Sequence, residues 1–353
     1  DLCYLSPYVG DLQDLRTVQA LEETIGRFQT LLEAQPQAVV CDLHPGYNSV
    51  AMAKNMELPL IQVQHHYAHI LSCMAENDDH DPVIGVSFDG TGYGTDGTIW
   101  GGELLLARED GFRRLGSIQP FLQLGGDASA REGWRIAVSM IYALTKDRAA
   151  TLDIIRKLAL CEENTAKVQL TMADRNINAV RSTSAGRLFD GVSAILGIRT
   201  ASTFEGEAST ALQYRAEAWN KAHPSTDAIP LEAPEMDAEG FLTLPTDRLV
   251  QDILTRRLAG ESVDRLAMEF HRRLAGQIAG AVQAAWEQTG LPAVALSGGV
   301  FQNRLLLELT VELLEPMNFH VLTHHLVPPN DGGIALGQAV YGLKRLKLQK
   351  NET

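Results

Sequence analysis

Apolar residues recur at helical spacing through residues 17–34 (TVQALEETIGRFQTLLEA), and this pattern predicts an amphipathic helix. The apolar run AVVCDL (38–43) reads as a buried strand. HPGYNSVAMAKNM (44–56) reads as a turn followed by a helix opening at Asn48 or Ser49. A second strand (58–64), a second helix (65–77) and a third strand (82–90) follow over short connections. That alternation predicts an α/β lobe whose strands run parallel. After Asp89 the period changes, and DGTGYGTDGTIWGGELLLA (89–107) reads as a glycine-rich turn between two strands of a hairpin. Residues 131–175 and 247–289 predict mostly helical blocks, the second broken near Gly260. The polar, proline-containing stretch 218–240 reads as a loop or insertion. Residues 292–314 return to strand, glycine turn and helix, and 319–343 give a strand, a loop and a closing helix. The sequence contains no internal repeat and no low-complexity tract.

A length of 353 residues exceeds one compact core of usual size, so two packed lobes are expected. Lys+Arg 30 against Asp+Glu 44 gives a net charge of −14, which argues against a surface built to grip a phosphate backbone. A nucleotide-binding pocket remains open, since it needs no charged face. Cys3, Cys41, Cys73 and Cys161 form no CxxC pair and read as buried free thiols. No apolar run reaches about 18 residues, and the N-terminus lacks a basic start and apolar core. A cytoplasmic location, with no membrane contact, is therefore the expectation. The sequence does not begin with Met, and a piece of a longer protein is expected.

Four glycine turns follow strands or open helices: residues 89–97, 204–209, 296–303 and 329–337. Glycine lets backbone approach a phosphate, and a helix N-terminus supplies unpaired N–H groups with positive potential. Any one of them reads as a tight turn; four along one chain suit an actin-like fold surrounding a nucleotide from two lobes. Neither the Walker A nor the dinucleotide glycine pattern stands in its required context.

His65 and His69 lie four apart, on one face of the helix expected at 65–77. Two imidazoles on one face can share a transition metal, but they need a carboxylate to complete the site. The zinc-protease pattern fails because residue 66 is His where it requires Glu. Asp331, before the last helix, is a candidate third ligand. On spacing alone, an Asp that caps the helix and two surface histidines are the simpler reading. Asp190 suits ribose hydroxyls or an ion pair with Arg187. Arg131 and Arg135, around Trp134, suit a phosphate or a solvated helix face. His324 and His325, at a strand end, take no role.

HPGYNS, QHHYAHI, FDGTGYGTDGTIWGGE, REGWRIA, GRLFDGVSAILGI, FEGEA, LSGGVFQN and PPNDGG occur in the order found in one family. The chain resembles, over essentially its whole length, the C-terminal region of the HypF carbamoyltransferases that mature nickel-iron hydrogenases. That region is similar to tRNA threonylcarbamoyl synthase and to antibiotic O-carbamoyltransferases. The resemblance implies an α/β, actin-like (ASKHA), two-lobed ATP-binding fold, with residues 1–81 plus 332–353 as one lobe and 82–331 as the other. It implies a divalent metal, zinc or iron, held by His65, His69 and Asp331. It also implies nucleotide or substrate contacts at Asp89, Gly90, Thr91, Gly92, Arg131, Asp190, Gly206, Gly298, Gly299 and Asn303. ATP or carbamoyl-adenylate would be the nucleotide, with magnesium allowed beside it. The implied reaction carries carbamoyl from carbamoyl-adenylate to the C-terminal cysteine of HypE, the expected partner; a small-molecule or tRNA acceptor, or an actin-like nucleotide-binding scaffold with no transfer chemistry, stands as the alternative. Carbamoyl phosphate and ATP would enter through an upstream domain. The family's acylphosphatase-like, zinc-finger and adenylate-forming domains are not in this sequence, and neither is the opening hairpin of the actin-like lobe. The expectation is therefore a transfer module alone.

Overall fold

The computed structural model describes residues 2–225 and 227–351. The chain begins with α1 (Leu15–Leu31), β1 (Val39–Asp42), α2 (Asn48–Asn55), β2 (Leu60–Val63) and α3 (His65–Glu76). Next come β3 (Val83–Tyr93), β4 (Ile99–Arg108), β5 (Gly111–Ile118) and β6 (Phe121–Leu124). A helical run follows: α4 (Ala128–Arg131), α5 (Gly133–Thr145), α6 (Arg148–Leu158) and α7 (Glu163–Asp174). β7 (Ala179–Ser182), α8 (Ala185–Ile195), α9 (Glu207–Ala222), β8 (Glu235–Met236) and β9 (Leu242–Leu244) lead into α10 (Thr246–Leu258) and α11 (Val263–Thr289). β10 (Ala293–Ser297), α12 (Arg304–Leu314), β11 (His320–Leu322) and α13 (Ile334–Asn351) complete the chain.

The first three strands do not share one sheet, contrary to the expectation from their alternation. β1 and β2 pair in parallel as a separate ribbon, while β3 joins a nine-stranded sheet between β10, parallel to it, and β4, antiparallel to it. Alternation specifies crossovers but not which strand accepts the hydrogen bonds of which other. A second correction concerns the glycine stretch after Asp89. β3 runs on to Tyr93, and the hairpin turn lies at Gly94–Thr98, where Gly94 N–H bonds to the Thr98 carbonyl. The polar stretch at 218–240 also differs in part, since α9 extends through Ala222 and Glu235–Met236 pairs with β9. Gly260 does separate two helices, with φ +86 after α10.

β3 divides two cores by the two-residue period of a strand. Ile84, Val86 and Phe88 point into the large core that α5, α8, α11 and α12 complete. Each is at most 1% exposed, and its burial is worth about 1.5–3 kcal/mol. Val83, by the same alternation, lies in the second core with Tyr67, Ile70 and Leu71 of α3. Gly85 shares that face, where a Cβ would stand 2.6 Å from Ile70, so α3 lies directly on the strand. α13 covers the outer side of α3: the Ser72 hydroxyl donates to the Gly333 carbonyl at 2.8 Å. As a result α3 is buried from His65 through Met74, histidines included.

Candidate functional site

α3 opens where Gln64 caps it, its side-chain oxygen accepting from Tyr67 N–H at 2.9 Å. His65 and His69 stand one turn apart, their rings 4.9 Å between centroids. The alternation that points Val83 and Gly85 at α3 brings Asp89 to the same side. There β3 bulges: Phe88 pairs with Gly102 and Gly92 with Trp100, so three residues, Asp89, Gly90 and Thr91, oppose Gly101 alone. A bulge re-aims side chains without ending the strand. Gly92, just beyond it, leaves no room for a Cβ, which would sit 2.3 Å from the His66 ring. Asp331 arrives from the loop between β11 and α13, which is tied to the glycine turn by Gly298 N–H on the Pro329 carbonyl at 3.0 Å.

His65 Nε2 lies 3.0 Å from Asp89 Oδ2 and 3.4 Å from Asp331 Oδ1. His69 Nε2 lies 3.4 Å from each of the same oxygens. One ligand atom from each of the four residues falls within 4.8 Å of the others. Burial alone would remove charge from His65, but Asp331, Asp42 and Asp89 hold it well above its usual value. His69 is likewise raised, against burial, by Asp331 and Asp89. Burial would raise Asp89, and the two imidazoles hold it well below the carboxylate range instead. Two carboxylates this close to two imidazoles either keep protons on the rings or share a cation with them. The buried His69 Nε2 makes no hydrogen bond of acceptable geometry, although two carboxylate oxygens stand near it. Two nitrogens and two oxygens converging on one point fit zinc or iron(II). The nitrogens come from a buried helix, and Asp331, with its side chain 73% exposed, leaves a side open.

Asp89, expected among the nucleotide contacts, thus sits in the candidate metal cluster, and it also meets the glycine turn: its Oδ1 accepts from Gly299 N–H at 3.1 Å. Gly206 is the N-cap of α9, with φ +75. Gly90 offers its carbonyl to the hydroxyls of Ser184 and Thr91. Asp190 is buried against Arg187 (2.7 Å), the ion pair that its spacing allowed. Arg131 ends α4, exposed, its carbonyl bonded to Ser202 N–H; Arg135 turns to Glu132, Gln169 and the Trp134 ring. Asn303 has both ends of its amide engaged: Oδ1 caps α12 at Leu306 N–H (3.1 Å), and Nδ2 donates to His271 Nε2 (2.9 Å).

His271 is fully buried, and burial pulls it from 6.5 down to about 4. An unfolded chain takes up this proton between those values and the folded chain does not, so stability is lost as pH falls through that window. The loss is expected to reach about 3 kcal/mol near pH 4. Chemical denaturation of the protein and of His271→Gln across this range checks it, the variant showing a flatter decline.

Three contributors were not expected. Asp42, at the end of β1, binds His65 Nδ1 at 2.7 Å and so sets Nε2 toward the cluster. A carboxylate closing an apolar strand was the available signal. Glu205 lies within charge range of Asp89 and Asp331; partial burial and then those charges raise its carboxyl. Tyr47 stacks on His44 at 4.2 Å beside the cluster, and burial pushes its hydroxyl up to about 12. Asp42→Asn keeps the turn but removes the charge behind His65, and is expected to weaken metal binding about tenfold. Competition against a chelator measures this.

The family model described as "Carbamoyltransferase, Kae1-like Domain, second subdomain" matches residues 85–338, and "HypF Kae1-like domain" matches residues 1–76. The chain is 34% identical over 364 residues to carbamoyltransferase HypF2 of Cupriavidus necator, covering 98% of this chain and 44% of that protein. It is 36% identical to a carbamoyltransferase HypF homolog of the same organism, covering 95% of this chain and 84% of the relative. A crystal structure of full-length HypF in the phosphate- and nucleotide-bound form superposes with TM-score 0.87 at 32% identity, covering 96% of this chain and 51% of that one. The chain thus spans about half the length of most curated relatives it matches. Among the described residues, no helix is long and apolar enough to cross a membrane.

Proposed function

The chain belongs to the HypF carbamoyltransferase family, with its actin-like α/β fold, and we propose that it acts as the carbamoyl-transfer module of nickel-iron hydrogenase maturation. One observation carries this reading: the metal-type cluster and the glycine turn meet at a single side chain, Asp89, which faces both histidines through Oδ2 and Gly299 N–H through Oδ1. A reaction on the anhydride of a carbamate and a nucleoside phosphate needs charge stabilisation on both sides of one bond, and such a junction supplies it.

In this reading His65, His69 and Asp331 hold a divalent zinc or iron ion, with Asp89 as a fourth donor. The ion, when bound, supplies Lewis acidity toward a carbonyl or phosphate oxygen. The glycine turn at Gly298 and Gly299, whose N–H groups bond the Pro329 carbonyl and Asp89 Oδ1, and the bulge at Gly90, Thr91 and Gly92 form the backbone wall beside the phosphate. Gly206 opens α9 on the same cleft, and Arg131 stands as a peripheral phosphate contact. Asn303, engaged at both ends of its amide, enters as a residue that shapes the nucleotide pocket, and Asp190, paired with Arg187 through Oδ2, keeps Oδ1 for a nucleotide hydroxyl. The separate two-stranded β1–β2 ribbon supports a lobe boundary near residues 81 and 332, which α3 bridges by packing on β3.

The acceptor in this reading is the C-terminal cysteine of HypE. Its thiolate attacks the carbamoyl carbon; the S–C bond forms as the C–O bond to the adenylate breaks, and AMP departs with that electron pair. The product is a thiocarboxamide, a precursor of a cyanide ligand. This chain needs no covalent nucleophile, and none of its cysteines lies in the cluster.

The test supplies carbamoyl-adenylate from a relative's adenylate-forming domain, with HypE as acceptor. Mass spectrometry is expected to find one added carbamoyl group on the terminal cysteine, and none on HypE lacking that cysteine. Nucleotide binding by this chain without any transfer would overturn the reading.

A further inference from the structure

The loop that delivers Asp331 belongs to no helix or strand, yet it approaches a cluster otherwise built on a helix and a strand. Its anchorage lies on the far side of that loop, at His324. His324 Nδ1 bonds Glu76 Oε2 at 2.9 Å, and Nε2 bonds the Ser297 hydroxyl at 2.8 Å. A carboxylate only accepts, so Nδ1 carries the proton and Nε2 accepts from Ser297. Glu76 has more to hold: its carboxylate also accepts from the backbone N–H groups of His325, Leu326 and Val327. The neighbouring Asn77 side chain donates to the Thr323 carbonyl at 3.0 Å. Glu76 and His324 side chains are only 2% and 4% exposed.

Serine, histidine and carboxylate in line have the connectivity of a hydrolase triad. Ser297 is 0% exposed, so no substrate reaches its hydroxyl, and a hydrolytic reading fails. What the line joins is more informative. Glu76 is the last residue of the helix that carries His65 and His69. Ser297 is the last residue of β10, directly before Gly298 and Gly299. His324 begins the loop that leads to Asp331. Three separate elements of the site are thus tied together through one imidazole.

We propose that His324, held between Glu76 and Ser297, is a positioning residue that sets the Asp331 loop against the histidine pair and the glycine turn. This rests on the metal reading given above, and deepens it. It acts on Asp331, so its effect on metal binding must disappear when Asp331 is already gone.

The test titrates cobalt(II) into the protein against a chelator and records the visible absorption of the bound ion. His324→Ala is expected to weaken binding about 10- to 100-fold and alter the spectrum. His324→Gln, which can still donate to Glu76 and accept from Ser297, is expected to restore most of both. In an Asp331→Ala background, His324→Ala is expected to cost little more, because the two act through one contact. Equal losses in both backgrounds would mark a general weakening of the fold and overturn the proposal. Amide hydrogen exchange gives a readout that needs no metal. His324→Ala is expected to speed exchange over residues 325–333 and leave α11 unchanged. Wild-type protein that binds no cobalt, with this local loosening still seen in His324→Ala, sinks the metal reading while supporting the clamp. Unchanged exchange over 325–333 in a folded His324→Ala protein overturns the clamp itself.

Discussion

Replacing His65 and His69 together with alanine is expected to remove metal binding altogether in practical terms. Sites with four protein ligands gain about 10–16 kcal/mol, or roughly 3 per ligand, so losing two ligands corresponds to a fall on the order of 10⁴-fold in affinity. The rings come from consecutive turns of a helix buried on every side, so their places cannot be refilled from neighbouring loops. The loss also leaves Asp89 and Asp331 facing each other without their imidazole partners, and both carboxyls are expected to rise from their lowered values. Competition with a chelator reads the affinity, and far-UV circular dichroism on the same samples separates loss of the site from loss of the fold.

Gly298→Ala carries the second large effect. Its φ of +99 lies where a side chain is strained, and a Cβ there would stand 2.2 Å from the Phe88 carbonyl oxygen. Backbone, not a movable side chain, is the obstacle. Phe88 immediately precedes Asp89, so relief of this contact displaces a member of the cluster. The expected cost is about 4 kcal/mol, lowering Tm by roughly 5 °C in a chain of this size. Gly260→Ala is the comparison: φ is +86 but nothing stands within 4 Å of a Cβ, so only about 1 kcal/mol is expected. Thermal unfolding of the pair isolates the clash from the conformational strain. Similar losses in both would contradict the close approach of the glycine turn to β3.

Local pattern carried the elements that end on the site. The spacing of His65 and His69 placed them on one helix face, and a strand, a glycine turn and a helix were legible from residues 292–314. The joining of Asp89 to that pair was not. It depends on which parity of β3 faces α3, and a strand with two buried faces hides its parity. The bulge compounds this, because a glycine-rich run reads as a turn until the partner strand shows that pairing resumes at Gly92. Sheet membership of β3 is likewise a matter of a distant partner, since it pairs in parallel with β10. The polar side chains follow the same rule. Asp190 has Arg187 nearby, and that ion pair was among the readings its spacing allowed. Asn303 is satisfied by His271, and His324 by Glu76 some 248 residues away, contacts that no window of sequence displays. The joint role proposed for the glycine turns rests on the order of motifs across the whole chain.

Calorimetric titration of ATP into metal-loaded protein, metal-stripped protein and the His65→Ala/His69→Ala variant tests the central claim most directly. If the nucleotide phosphate meets the cluster at Asp89, the loaded protein binds, and binding falls sharply both on stripping the metal and in the variant. Equal binding in all three samples would contradict this account and leave an actin-like nucleotide-binding scaffold whose histidines take no part.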